Sequence, residues 1–347
     1  MPAQGPFSYE IPDIPCPFPC RSHPDADRAR EHLAAWTEQH GLLRSEGAAA
    51  YFHAARYWLF SAYAYPEAAE LTIGTEWMAW EYLFDDQFDE NALDGQAPVA
   101  RQAVAEVLAH FAPHTDHGPP SGGSRLGLAA AAFWRRVVPL TSPSWQRRFV
   151  VDVSDFLNAY LTGHASRRTD APPPDRDTFV RLRRDIGGVL PCLDVIEPAH
   201  PLVLPDALTA TPAFRALRDS ANDVICWTND IVSLDKELAR GESLNLVAVL
   251  RHEGAGTWSE AARRAVALTA RRTDDVEQAC RALVAVAEQA GGTREGAERY
   301  CRAVRDWIAG SHQWHQANRR FLDVDRDTPP GVRTDRVDEL LTPPHGA

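Results

Sequence analysis

Lysine is scarce in this chain, and no run of lysine and arginine appears anywhere in it. Nucleic-acid binding rests on a basic footprint, and 36 basic against 48 acidic side chains, a net charge of −12, supply none. Long apolar runs are missing as well. The longest, Leu126 to Trp134, is far too short to span a bilayer. The opening residues, MPAQGPFSYEIPDIP, lack the apolar segment of a secretory signal. The six cysteines are scattered, and although Cys16 and Cys20 stand close, no second pair or nearby histidine completes a zinc set. The expectation is a soluble, cytoplasmic protein with reduced thiols that meets neither nucleic acid nor membrane. Sustained β alternation and internal repeats are absent too, which leaves helices.

With 347 residues, 44% of them apolar, and ten tryptophans, the chain can bury a sizeable core. Residues 1–24 are punctuated by Pro2, Pro6, Pro12, Pro15, Pro17, Pro19 and Pro24, which forbids a helix and predicts an extended arm. From Asp25 the apolar residues recur at helical spacing. Helices are expected from Ala29 to His40, Ala48 to Tyr63, Leu71 to Phe84, Val99 to Phe111, Leu126 to Val138, Ser144 to Thr162 and Asp177 to Ile186. Others are expected from Thr211 to Leu238, Trp258 to Gln289 and Arg294 to Phe321. The reading is all-α, one domain over residues 25–322, with a polar, proline-containing tail over 323–347.

Two stretches carry chemistry. Phe84-Asp85-Asp86-Gln87-Phe88-Asp89-Glu90 ends an apolar helix with acids at i, i+4, where carboxylates oppose the helix dipole and one another. A pattern that defies local rules is a candidate functional site, and a Mg²⁺ ion on Asp85, Asp89 and Glu90 would compensate the cost. Downstream, Asn229-Asp230-Ile231-Val232-Ser233-Leu234-Asp235-Lys236-Glu237 places Asn229, Ser233 and Glu237 at i, i+4 and i+8. They drift by about 40° per step and so form one stripe. An amide oxygen, a hydroxyl and a carboxylate are hard donors that suit Mg²⁺ shared with phosphate, and Lys236 could meet that phosphate as a point charge. The competing readings are a solvated acidic helix end and an ordinary polar surface stripe. Val224 to Trp227 and Ile231-Val232 around the second stretch point instead to a buried helix that needs polar partners.

Together, the DDxxDE helix end and the NDxxSxxKE stretch resemble the class I terpene synthases, particularly the bacterial terpene cyclases. The arm Phe18-Pro19-Cys20-Arg21-Ser22-His23-Pro24 looks like the family's entry, and Gly241 and Asn245 sit as they do there, so the resemblance covers roughly residues 15–322. It implies a helical bundle around a central active-site cavity. It also implies a diphosphate-sensing arginine, Arg183, with Ile186 as linker and Gly187 as effector at a helix break, Arg184 being the rival candidate. The family's closing Trp-x5-Arg-Tyr is matched by Trp314 to Phe321, with Arg320 keeping the charge and Phe321 replacing the tyrosine.

The reaction implied is ionisation of an isoprenyl diphosphate, farnesyl diphosphate by default, with cyclisation of the carbocation to a terpene. Three Mg²⁺ ions with Arg183, Lys236 and Arg320 would stabilise the leaving group, in a monomer or homodimer. A dry, aromatic-lined pocket would shield the cation, with Phe60, Phe84 and Trp307 as its expected walls and Trp77 and Trp227 as further candidates. Alternatives are a diterpene cyclase using geranylgeranyl diphosphate, a chain-elongating prenyl diphosphate synthase, which carries two aspartate-rich motifs, and a non-catalytic helical binding protein with an acidic patch.

Overall fold

A computed structural model describes residues 10–89, 97–111, 123–167, 172–318 and 335–342. Among them the regular structure is helical throughout: α1 (Ala26–His40), α2 (Glu46–Ala55), α3 (Tyr57–Ala64), α4 (Leu71–Asp89), α5 (Ala97–Ala109), α6 (Arg125–Val137), α7 (Pro143–Arg167), α8 (Arg176–Ile186), α9 (Val189–Ala199), α10 (Asp206–Thr209), α11 (Pro212–Ala239), α12 (Leu246–His252), α13 (Trp258–Val286) and α14 (Arg294–Ala317). Hydroxyl and carboxyl side chains start most of the later helices by accepting a backbone N–H two or three residues on. Asp175 caps α8, Thr211 caps α11, Thr257 caps α13 and Thr293 caps α14.

Several boundaries differ from expectation; α7, for one, runs on to Arg167 rather than Thr162. The helical period from Ala48 to Tyr63 breaks at Arg56, which adopts a left-handed φ of 51°. Glycine is the usual occupant of that region, so no residue type announces the break. Conversely, α4 continues past Phe84 through the acids to Asp89, so Asp85 and Asp86 are helical. The short helices α9, α10 and α12 lie in stretches where periodicity predicts nothing.

At the centre, α11 runs for 28 residues, about 42 Å at 1.5 Å per residue. It packs along α13 on one side and against α8, α9 and α14 on others. Behind α4 stands an aromatic wall: Trp77 stacks on Trp80 at 5.1 Å and Trp80 on Phe84 at 5.6 Å. Phe133 and Phe149 close on Trp77 from α6 and α7. These rings occupy one side of α4 and leave the other side for the site.

The core also takes in the described parts of the arm and the tail. Ile14 of the arm is buried, and Arg21 pairs with Asp306 of α14 at 2.8 Å. The described part of the tail packs into the core, with Leu340 and Leu341 only 1% and 2% exposed. Gln87 of α4 holds it like a paired strand, donating to the Asp338 carbonyl at 3.0 Å and accepting from the Leu340 N–H at 2.9 Å. Leu126 N–H, at the start of α6, donates to the Leu340 carbonyl.

Candidate active site

Two helices build the site, and each changes character along its length. On α4, Met78 and Tyr82 give way to Asp85. On α11, Ile225 and Cys226 give way to Asn229, Ser233, Lys236 and Glu237. All of them line one cavity. The two faces therefore form a cavity that is apolar at one end and rich in oxygen donors and cations at the other.

The polar end is pre-arranged by hydrogen bonds within the chain. Ser233 Oγ lies 2.6 Å from Glu237 Oε1 and 2.8 Å from the Asn229 carbonyl. Asn245 Nδ2 donates to Glu237 Oε2 at 2.9 Å and to the Asp230 carbonyl at 2.7 Å, while its own oxygen caps α12. Both oxygens of Glu237 are thus held by neutral donors, and no arginine or lysine among the described residues pairs with it. A carboxylate next to a hydroxyl and an amide oxygen is a donor set that fits a divalent ion. Across the cavity, the Tyr160 hydroxyl of α7 donates to Asp85 Oδ1. Lys236, the only lysine in the sequence, is 8% exposed and lines the same end.

Arg183 and Arg184 are separated by where their neighbours lie. Arg183 lines the cavity, and its Nε donates to Asp230 at 2.7 Å and its Nη2 to Asn229 Oδ1 at 2.9 Å. Burial works against its charge, but Asp230 more than reverses this and the guanidinium stays firmly protonated. Arg184, 100° further around α8, instead forks onto Asp223 at 2.7 and 2.6 Å and reaches Asp219. Beyond them α8 stops. Gly187 and Gly188 separate it from α9, and both glycines are required. A Cβ on Gly187 would stand 2.3 Å from Cys226 Sγ, and Gly188 has φ +66°. Gly187 lies on the cavity wall.

The expected aromatic walls need correction. Phe60 and Trp307 do face the cavity. Phe84 does not: its ring is 0% exposed among Trp80, Phe88, Phe156 and Tyr160, because the aromatic side of α4 is its core side. Trp77 is buried in the same wall, and Trp227 is buried on α11 away from the cavity lining. Sequence reasoning missed Tyr82, Glu81, Phe156 and Tyr160. A signal for them existed, since Glu81 precedes Asp85 by one turn and Phe156 and Tyr160 stand at i, i+4. Glu90, Arg320 and Phe321 lie outside the described residues, and of Asp89 only the backbone is described.

Comparison with known proteins agrees with this geometry. Residues 76–275 match the family model for the C-terminal metal-binding region of terpene synthase family 2. Over 340 residues, 95% of the chain and 90% of the relative, the sequence is 32% identical to pristinol synthase of Streptomyces pristinaespiralis. It is 29% identical over 335 residues, 94% of the chain and 92% of the relative, to a (2E,6E)-farnesyl diphosphate cyclising (−)-β-caryophyllene synthase of Saccharothrix espanaensis. Among solved structures, hedycaryol synthase in complex with HEPES superposes with a TM-score of 0.76 at 25% identity, covering 89% of this chain and 99% of that one.

Proposed function

Because the chain belongs to the class I terpene synthases, we propose that its cavity binds farnesyl diphosphate with the diphosphate at the polar end and the hydrocarbon at the apolar end. The protein is a terpene cyclase, an all-helical enzyme that takes a prenyl diphosphate and uses a divalent metal. The choice of the C15 substrate rests on its similarity to enzymes such as the farnesyl diphosphate cyclising synthase. The observation that carries the reading is the cavity itself: Asp85, Arg183, Asn229, Ser233, Lys236 and Glu237 line one space together with Phe60, Met78, Ile186, Val189 and Trp307.

Three Mg²⁺ ions are the proposed set, held by Asp85 with Asp89 and Glu90 on one rim and by Asn229, Ser233 and Glu237 on the other. When bound, they supply positive charge that stabilises the departing diphosphate. Lys236 and Arg183 add fixed cations at the same place, and Arg320 is proposed as a third. Their value is that they are in position before the carbon–oxygen bond breaks. Arg183 is held there by Asp230, so its guanidinium need not be reoriented during ionisation. Gly187, directly behind Arg183 at the helix break, is proposed to turn its backbone carbonyl towards the allylic cation. Phe60, Tyr82 and Trp307 line the cavity; aromatic rings attract cations, and these would exclude water that would quench one.

A chain-elongating synthase would carry a second aspartate-rich motif where this chain offers Asn229 and Ser233. The direct test incubates the protein with C10, C15 and C20 diphosphates and Mg²⁺, measuring diphosphate release and analysing the extract by gas chromatography–mass spectrometry. A cyclic product from the C15 substrate is expected. Diphosphate release with only longer linear chains formed would overturn the assignment of a cyclase.

A further inference from the structure

One ionisable group on the cavity wall has no part in binding metal or diphosphate. Glu81 stands one turn before Asp85 on the same face of α4, which places it about 6 Å deeper along the helix axis. Met78, Phe156, Ile186 and Val189 line the same cavity. The carboxyl is built in. Cys192 Sγ, on α9, donates to Oε2 at 2.9 Å, and the Cys192 carbonyl is in turn held by the Tyr65 hydroxyl at 2.9 Å. Oε1 fills the space over Gly188, where a Cβ would come within 1.6 Å of it. A glycine at the helix break thus makes room for this carboxyl.

A structural duty does not account for it. No side chain caps α9, although the carboxyl lies over Gly188, the residue that precedes it. No ion pair to Glu81 exists among the described residues, so only hydrogen bonds from neutral groups such as Cys192 offset the cost of a buried carboxylate. Burial, and secondarily the charge of Asp85, push its protonation well above the usual carboxylate range despite the opposing contacts of Cys192 and Trp77. With Oε2 accepting from the thiol, the proton belongs on Oε1. The result is a neutral acid at the depth of the hydrocarbon.

Resting on the cyclase reading above, we propose that Glu81 is the proton carrier of the cavity: it gives a proton to a double bond of a neutral cyclised polyene and takes one back from the cation that results. The first cation loses a proton to the released diphosphate, its C–H pair becoming a new C=C. The Glu81 O–H then breaks, the alkene π pair forms a C–H bond, and positive charge appears on the neighbouring alkene carbon while Glu81 becomes a carboxylate. After further ring closure the carboxylate removes a proton next to the new cationic carbon, a final C=C forms, and the acid is restored. No oxidant or further reactant is consumed.

The test is turnover in D₂O, where the Glu81 proton exchanges with solvent. The wild-type hydrocarbon should gain one deuterium on carbon, read by mass spectrometry. Glu81→Gln should yield unlabelled neutral polyene for each diphosphate released. An unlabelled wild-type product overturns the proposal with no variant needed, and an equally labelled Glu81→Gln product overturns it in favour of another donor. If Glu81→Gln does not fold, Glu81→Asp, whose acid is withdrawn by one methylene, should show a reduced label; an undiminished label would count against Glu81. Failure of the cyclase reading looks different: the wild type would release no diphosphate from any of the three substrates.

Discussion

Replacing Arg183 with alanine has two consequences that the geometry lets one separate. The first is catalytic. Loss of one preorganised electrostatic partner lowers turnover by about 10²–10³, so kcat and kcat/KM should both fall. The second is structural. Asp230 is 0% exposed and takes Arg183 Nε at 2.7 Å and the Leu246 N–H at 2.9 Å. Breaking a buried ion pair from one side costs about 3–5 kcal/mol if the remaining charge persists. Burial already holds the Asp230 carboxyl up, to about 6, with Arg183 in place; without Arg183 it moves higher and protonates.

A folded pKa raised above the unfolded value means that the folded state holds the extra proton, so stability falls as pH rises through the window between the two. For the wild type that loss is complete soon above pH 6. For Arg183→Ala it continues upward, so the gap in Tm between the two proteins should widen from pH 6 to pH 8. Adding Asp230→Asn removes the stranded acid and should close most of that gap without restoring turnover. Near-normal turnover in Arg183→Ala, or a rate recovered in the double variant, would refute the assignment of Arg183 to ionisation.

Phe84→Ala should cost about 3–5 kcal/mol by emptying a packed core site and leave the product profile of the folded fraction unchanged, whereas Phe60→Ala should shift that profile. Melting curves and product analysis on the same samples check both. Glu237→Gln should suppress diphosphate release itself, and chelation of divalent ions should abolish release in the wild type, restored by Mg²⁺; both are read by a phosphate-coupled assay. Gln87→Leu should strand the Asp338 carbonyl and Leu340 N–H, at about 1–3 kcal/mol for each buried group left unpaired, and lower Tm in denaturation scans.

The long helices, the two motifs and the break at Gly187-Gly188 were legible because each has a local signature: a 3.6-residue period, a cluster of acids at a helix end, paired glycines. The inner face of α4 was not. Trp77, Trp80 and Phe84 on one side are matched by Met78 and Tyr82 on the other, and a helix apolar on both sides does not say which side meets a cavity. Choosing between Arg183 and Arg184 needed the positions of Asp230 and Asp223, which lie far away in sequence. The docked tail was hidden because Leu340-Leu341 is too short a run to show any period.

The solitary lysine has a practical corollary. An endoprotease specific for lysine has one bond to cut in this polypeptide, between Lys236 and Glu237, in the middle of the ligand stripe of α11. At 8% exposure in an intact helix that bond is shielded, so cleavage requires α11 to open locally. The rate at which the two fragments appear is therefore a clock for unfolding at the diphosphate end alone, and its slowing by inorganic diphosphate and Mg²⁺ would measure their affinity without any turnover.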